Sequence, residues 1–155
     1  GPVGSGSITA FYTVLLEADE ETDPVGDAAR AILDGQIVLS RQLAEAGHYP
    51  AINIGASISR VMPSLVSTRH YKAMQHVKQL VSAYLENRDL VNVGAYVGGS
   101  DPLVDEALAR HRELECFLVQ GMDFAVSMEE AGRQLFELFP AMDEDLTRGD
   151  ADGSA

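Results

Sequence analysis

Lysine is nearly missing from this chain: among 155 residues only Lys72 and Lys78 are lysines. A phosphate-cradling loop of the form GxxxxGKS/T needs a lysine beside its serine or threonine inside a glycine-rich turn. The opening residues, GPVGSGS, are glycine-rich, yet neither lysine lies in such a turn, so no Walker A loop is present in this sequence. Cysteine is scarcer still. Cys116 stands alone, which rules out an internal disulfide and fits a reducing compartment. It falls in a helical pattern with Leu114, Phe117 and Leu118, and inert packing is its expected role. No apolar run approaches the ~20 residues of a membrane span, and no basic signal-like stretch opens the chain, so the protein reads as cytosolic. Positive charge is also in deficit. Eleven basic residues against 24 acidic ones give a net charge of −13, which argues against a nucleic-acid partner. Residues 143–152 alone hold five of the acids against one base, Arg148.

What is present suffices for a folded domain. The length fits one domain, or one with a small subdomain, and 46% hydrophobic content can supply a core. Ile8 to Leu16 is nearly continuous in apolar residues and predicts a strand buried in a largely parallel sheet. The acidic run 17–23 lacks a histidine or a ligand spacing and reads as a solvated loop rather than a metal site. Asp23 and Pro24 predict a helix start, and Gly35 its stop. Ile37–Leu39 is a second strand candidate, followed by a short helix from Ser40 to Ala46 that Gly47 closes.

Beyond residue 60 the period changes. Tyr71, Met74, Val77, Val81 and Leu85 recur on one face of a helix predicted over 68–87. His70 and His76 are six apart and make a poor metal pair. A turn-rich connector leads to Asp101 and Pro102, which predict a third helix presenting Val104, Ala107, Leu108, Leu114 and Leu118. Ser127 and Glu130 form a capping-box pattern for a last helix packing Met128, Ala131, Leu135, Leu138 and Phe139, and ending at Pro140. These helices are expected to form a small antiparallel bundle.

The stretch GHYPAINIGASISR (47–60) carries the candidate chemistry. Pro50 restricts Tyr49 to extended backbone, and Arg60 follows eleven residues later after small side chains. A ring face can stack on a base, and a guanidinium can pair bidentately with phosphate. The plain alternative is a partly buried tyrosine and a surface arginine that holds a helix end.

The segments GSITAFYTVL (6–15), DP (23–24), ILDGQIVLSRQLAEAGHYPAI (32–52), SISRVMP (57–63), NRDLVNVGAYVGGSDPLVDEAL (87–108) and FLVQ (117–120) resemble the C-terminal part of the export ATPases of bacterial flagella and of type III secretion systems. These are relatives of the catalytic subunit of rotary ATP synthases. GAYVGGSDP is closer to the flagellar branch. The resemblance implies an α/β fold: trailing strands and helices of a RecA-like P-loop ATPase core (8–62), then a C-terminal helical bundle (63–140), with a flexible start (1–7) and a disordered acidic tail (141–155).

The resemblance also implies roles. Arg60 corresponds to an arginine finger that reaches the nucleotide of a neighbouring subunit. Tyr49 corresponds to the residue stacking on adenine, Phe117 to a second wall of that pocket and Phe124 to a third; the alternative for both phenylalanines is core packing. Residues 94–106 match the helical hairpin tip that meets a central stalk in rotary relatives, with VGGSDP in place of their long acidic loop. The intact protein is implied to be a homo-hexamer using ATP and Mg²⁺, cytoplasmic and peripheral to the inner membrane. Its implied partners are a central stalk protein, regulator and chaperone or cargo complexes, and the export gate. The barrel, the Walker A loop and the Mg²⁺-holding aspartate are expected upstream of Gly1. This chain alone is therefore expected to be inactive and to bind ATP weakly. The other reading is a non-catalytic module that docks a stalk or export cargo.

Overall fold

The computed structural model describes residues 4–6, 8–16 and 24–140. The acidic run 17–23, the tail 141–155 and most of the opening stretch lie outside them. Two compact units divide the chain, Gly1–Asp34 and Gly35–Ala155.

In the first unit the apolar stretch 8–16 does not form the predicted strand: it has no regular structure, and Ile8, Phe11, Tyr12 and Leu15 are exposed. A strand needs a neighbour for its N–H and C=O groups, and the described residues of this unit hold none for it. The helix α1 covers Pro24–Ile32, with proline at its first position, where the missing N–H has no role. An Asp27–Arg30 pair at 3.1 Å bridges one of its turns.

The second unit begins with an antiparallel ribbon rather than parallel strands. β1 (Gly35–Gln36) pairs with β2 (Ile58–Ser59), Gly35 opposite Ser59 and Gln36 opposite Ile58. Leu39 then bridges Ile52, and Ser40 N–H donates to the Ala51 carbonyl at 2.8 Å. Gly35 is part of this ribbon rather than a helix cap. A Cβ there would sit 2.7 Å from the Ile58 carbonyl oxygen, so only glycine permits the approach.

Between the ribbon's halves lies α2 (Arg41–Glu45), and its end follows the sequence expectation. Ser40 caps it, accepting from Leu43 N–H at 3.3 Å. At its end Gly47 takes φ 76°, its N–H reaching the Ala44 carbonyl while His48 N–H reaches that of Leu43. This double bond pattern satisfies the last helical carbonyls. A four-residue helix, α3 (Met62–Leu65), was not evident in the sequence pattern.

The bundle follows. α4 spans Thr68–Asn92, capped by Ser67, and runs five residues past the predicted end. The stop is Gly94, at φ 71°, which repeats the Gly47 bond pattern through Val91 and Leu90. The buried face is Ala73, Val77, Leu80 and Ala83, whereas the predicted face had weighted the larger Tyr71, Met74 and Leu85. The two alanines on that face leave the next helix room to approach, while Val77 and Leu80 fill the contact. That helix, α5 (Pro102–Leu118), is capped by Asp101 and buries Val104, Ala107 and Leu114 as expected. Cys116, two positions from Leu114, points off this face and is exposed, which corrects its expected packing. α6 (Met128–Leu138) buries Leu135, and Phe139 just beyond it is also buried. Met128, expected inside, is 83% exposed.

α4 and α5 cross instead of lying antiparallel. His76 meets Glu106 at 2.9 Å and Tyr84 stacks on His111 at 3.7 Å, so contact positions rise together along both helices. Side-by-side antiparallel helices cannot give that order, because each 1.5 Å rise along one is a descent along the other. Phe139 is held between the Arg110 guanidinium, 4.4 Å from its ring centre, and the His76 ring. On α6 the Ser127 half of the capping box forms, Ser127 Oγ accepting from Glu130 N–H at 3.1 Å. The Glu130 carboxylate faces Arg133 and Gln134, and their hydrogen bonds, Arg133's first, hold it below the usual carboxylate range.

Candidate functional site

The Gly47 turn delivers the chain to Tyr49, whose peptide bond to Pro50 is cis and whose side chain is 52% exposed. Two bonds fix the backbone after it: Ser40 N–H to the Ala51 carbonyl and Asn53 N–H to the Val38 carbonyl, both 2.8 Å. A third comes from the bundle. Gln120 N–H, just past α5, donates to the Tyr49 carbonyl at 2.8 Å. The ring is therefore half-exposed on a restrained backbone.

Arg60 lies at the other end of the same ribbon. It follows β2 and is exposed, in a turn closed by Ser59 Oγ accepting from Met62 N–H at 3.2 Å. The residues before it are firmly mounted. Ser57 Oγ donates to the Asn53 carbonyl at 2.6 Å and accepts from Val38 N–H at 3.0 Å. Gln36 Nε2 donates to the Ala56 carbonyl at 3.2 Å. Lys78 of α4 donates to the Ser57 carbonyl at 2.6 Å, and Ile54 packs on the bundle core.

The ribbon separates the two residues. Tyr49 adjoins its Ser40–Ala51 end and Arg60 its Gly35–Ser59 end. The five residue steps from 35 to 40 correspond to about 17 Å of extended strand. The ring and the guanidinium are thus not brought into one contact.

Phe117 and Phe124 are placed differently from each other. Phe117 is half-buried, packs against the bundle core and lines a shallow depression between α5 and α6 beside Cys116, Gln134 and Leu138. Phe124 is 75% exposed in the loop after α5, so core packing does not describe it. Gln120, which closes the FLVQ segment (117–120) but has no role assigned from the sequence, links this loop to Tyr49. Its signal in the sequence is its place in FLVQ, one of the segments that carry the family resemblance.

The donor set has the residue chemistry for parts of a nucleoside triphosphate. It includes a half-exposed ring, a type that can stack on a base, and an exposed guanidinium, a type that can pair with phosphate. It does not fit a full phosphate cradle, because Lys72 and Lys78 lie on α4 and Lys78 is bonded to Ser57. Nor does it fit Mg²⁺: among the described residues no cluster of three His, Cys, Asp or Glu side chains converges. Among them, too, no helix is long and apolar enough to cross a membrane.

A second surface lies between α4 and α5. Asp105 clamps the connecting loop, accepting from Tyr96 Oη at 3.0 Å and Gly99 N–H at 2.9 Å. Val93 and Val97 project from it, 75% and 71% exposed.

Two family models match in succession. Residues 1–59 match the ATP synthase alpha/beta family, nucleotide-binding domain, and residues 66–137 match the T3SS EscN ATPase C-terminal domain. The Flagellum-specific ATP synthase of Salmonella typhimurium is 55% identical over 139 residues, covering 90% of this chain and 30% of its own length. That of Pseudomonas aeruginosa is 56% identical over 135 residues, covering 87% and 30%. The type 3 secretion system ATPase of Pseudomonas syringae pv. syringae is 43% identical over 140 residues, covering 90% and 31%. Among solved structures, the assembled ATPase EscN from the enteropathogenic E. coli type III secretion system superimposes with a TM-score of 0.80 at 44% identity, covering 85% of this chain and 32% of that one. EscN in complex with its central stalk EscO gives 0.79 at 42%, covering 89% and 32%. The chain spans about 30% of the length of the curated relatives it matches. The α/β class holds, as the trailing part of a nucleotide-binding domain joined to a helical bundle.

Proposed function

We propose that this chain, which belongs to the family of flagellar and type III secretion ATPases, provides two half-sites of a ring-shaped ATPase that energises protein export. Tyr49 stacks on the adenine of one nucleotide, with Phe117 and Phe124 as further walls of that pocket. Arg60 reaches the γ-phosphoryl of the nucleotide held by the next subunit of a homo-hexamer. The observation that carries this reading is the ribbon that mounts Tyr49 and Arg60 on one restrained element and at opposite ends of it. In a ring of identical subunits such an element spans from one site to the next.

The chemistry suits the residue types. Charge on the transferred phosphoryl group is neutralised best by a permanent, forked cation presented without reorganisation. The ring face acts equally on bound substrate and transition state, so it contributes affinity rather than rate. The remaining phosphate contacts and the Mg²⁺ ligands are assigned to other segments of the ATPase. The hairpin tip at 94–106, where Val97 is exposed, is the surface for a central stalk, and a structure of the related EscN is one in complex with its central stalk EscO. A cytoplasmic place at the inner membrane, beside the export gate, regulator and chaperone or cargo complexes, follows from the same reading.

The test is Arg60→Ala in a full-length ATPase that carries this segment. Turnover is expected to fall by about 10³ with KM for ATP little changed, and Arg60→Lys to restore little, because an ammonium lacks the planar fork. Turnover within tenfold of the parent would refute the finger.

A further inference from the structure

We infer that Gln120 is a positioning residue for the base end of the nucleotide site, a clasp that ties Phe124 to Tyr49; this rests on the base-pocket reading proposed above. α5 ends at Val119, whose N–H reaches the Glu115 carbonyl at 2.9 Å. The next residue leaves the helix and bonds in two directions. Its backbone N–H donates to the Tyr49 carbonyl at 2.8 Å, and its side-chain Nε2 donates to the Phe124 carbonyl. Phe124 N–H in turn donates to the Gly121 carbonyl at 3.2 Å, closing a tight turn over residues 121–124.

The turn also sets where the ring goes. A Cβ on Gly121 would lie 3.2 Å from Phe124 Cδ2, so the ring rests against the glycine backbone, in space that a side chain would take. Phe124 is otherwise 75% exposed, a large apolar ring outside the core on a turn that the Gln120 amide braces. One residue thus joins the backbone that carries the Tyr49 ring to the backbone that carries the Phe124 ring. It touches no nucleotide itself. Without the amide donor the 121–124 turn relaxes and the second ring loses its position relative to the first.

Two variants separate the hydrogen bond from side-chain volume. Gln120→Ala removes both; Gln120→Glu keeps the shape, removes the donor and sets a carboxylate against the Phe124 carbonyl. In this chain, NMR is expected to show contact between the Phe124 ring and the Gly121 Hα, lost in both variants, while Leu114 amide protection in α5 is unchanged. Contact retained in both variants would overturn the clasp. In a full-length ATPase carrying the segment, both variants are expected to raise KM for ATP about three- to tenfold, the worth of one ordinary hydrogen bond, with kcat within twofold. Competitive inhibition by tripolyphosphate, which has no base, is expected to be unaffected, whereas a general loss of structure would weaken both. Tyr49→Ala serves as the control. If it raises KM while the Gln120 variants do not, the clasp alone is wrong. If it leaves KM unchanged, the base pocket fails and the positioning role fails with it.

Discussion

Removing the Lys78 ammonium should loosen the mount of Arg60 without touching Arg60 itself. Lys78 projects from α4 and donates to the Ser57 carbonyl at 2.6 Å, three residues before Arg60. Lys78→Met keeps the aliphatic stem and the helix propensity, so α4 should be unaffected. A hydrogen bond from a charged donor contributes about 1.5–3 kcal/mol net. The lower part of that range, about 1.5–2 kcal/mol, suits a half-buried lysine, and corresponds to a roughly 10- to 30-fold rise in local opening. Amide exchange reads this directly. Asn53 N–H, bonded to the Val38 carbonyl, and Ser57 N–H, bonded to the Asn53 carbonyl, should exchange faster by that factor. Leu80 and Ala83, buried in α4, should not change. Equal acceleration at Leu80 would mean global destabilisation, and no change at Asn53 would mean that Lys78 does not pin the ribbon; either result refutes the reasoning.

Other perturbations address the remaining parts. In a full-length ATPase carrying this segment, Tyr49→Ala should raise KM for ATP with little effect on kcat, and Tyr49→Phe should be nearly silent, because only the ring face is required. The isolated chain should show no turnover and no micromolar ATP binding by calorimetry, since neither of its lysines is placed in a phosphate loop. Glu130 supplies a pH test. Its folded-state pKa is depressed by the Arg133 hydrogen bond, so its stabilising contribution is present above the ordinary carboxylate range and is lost as pH falls through the folded value. Glu130→Gln should therefore lower Tm at neutral pH, with a difference that narrows and vanishes in acid.

Features fixed by a few neighbouring residues were readable from the chain itself. Asp101 and Pro102 announce α5, Ser127 announces α6, and Gly47 ends α2, because capping and left-handed turns depend on local backbone chemistry. Features decided by close approach of distant segments were not. Gly35 reads as a helix stop, yet its glycine is required by the Ile58 carbonyl of the opposite strand. The buried face of α4 reads from its large residues, yet Ala73 and Ala83 belong to the core it shares with α5 and α6. Ile8–Leu16 has the composition of a strand, but composition cannot supply the neighbour a strand requires. For the candidate site, sequence motifs picked out Tyr49 and Arg60. Their placement at opposite ends of a ribbon depends on the pairing of 35–40 with 51–59, which spacing along the chain does not reveal.

Mixing two variants impaired in different ways tests the shared site most directly. In a full-length ATPase carrying this segment, Arg60→Ala subunits keep Tyr49 and Tyr49→Ala subunits keep Arg60. In equally mixed rings about one junction in four pairs an intact Tyr49 with an intact Arg60 from the neighbour. With subunit exchange verified, and ATP limiting enough to expose the Tyr49 defect, the mixture should exceed the activity of either variant alone and peak near equal proportions. Activity that follows the weighted average of the two variants at every ratio would contradict the claim that Tyr49 and Arg60 complete one site from two subunits.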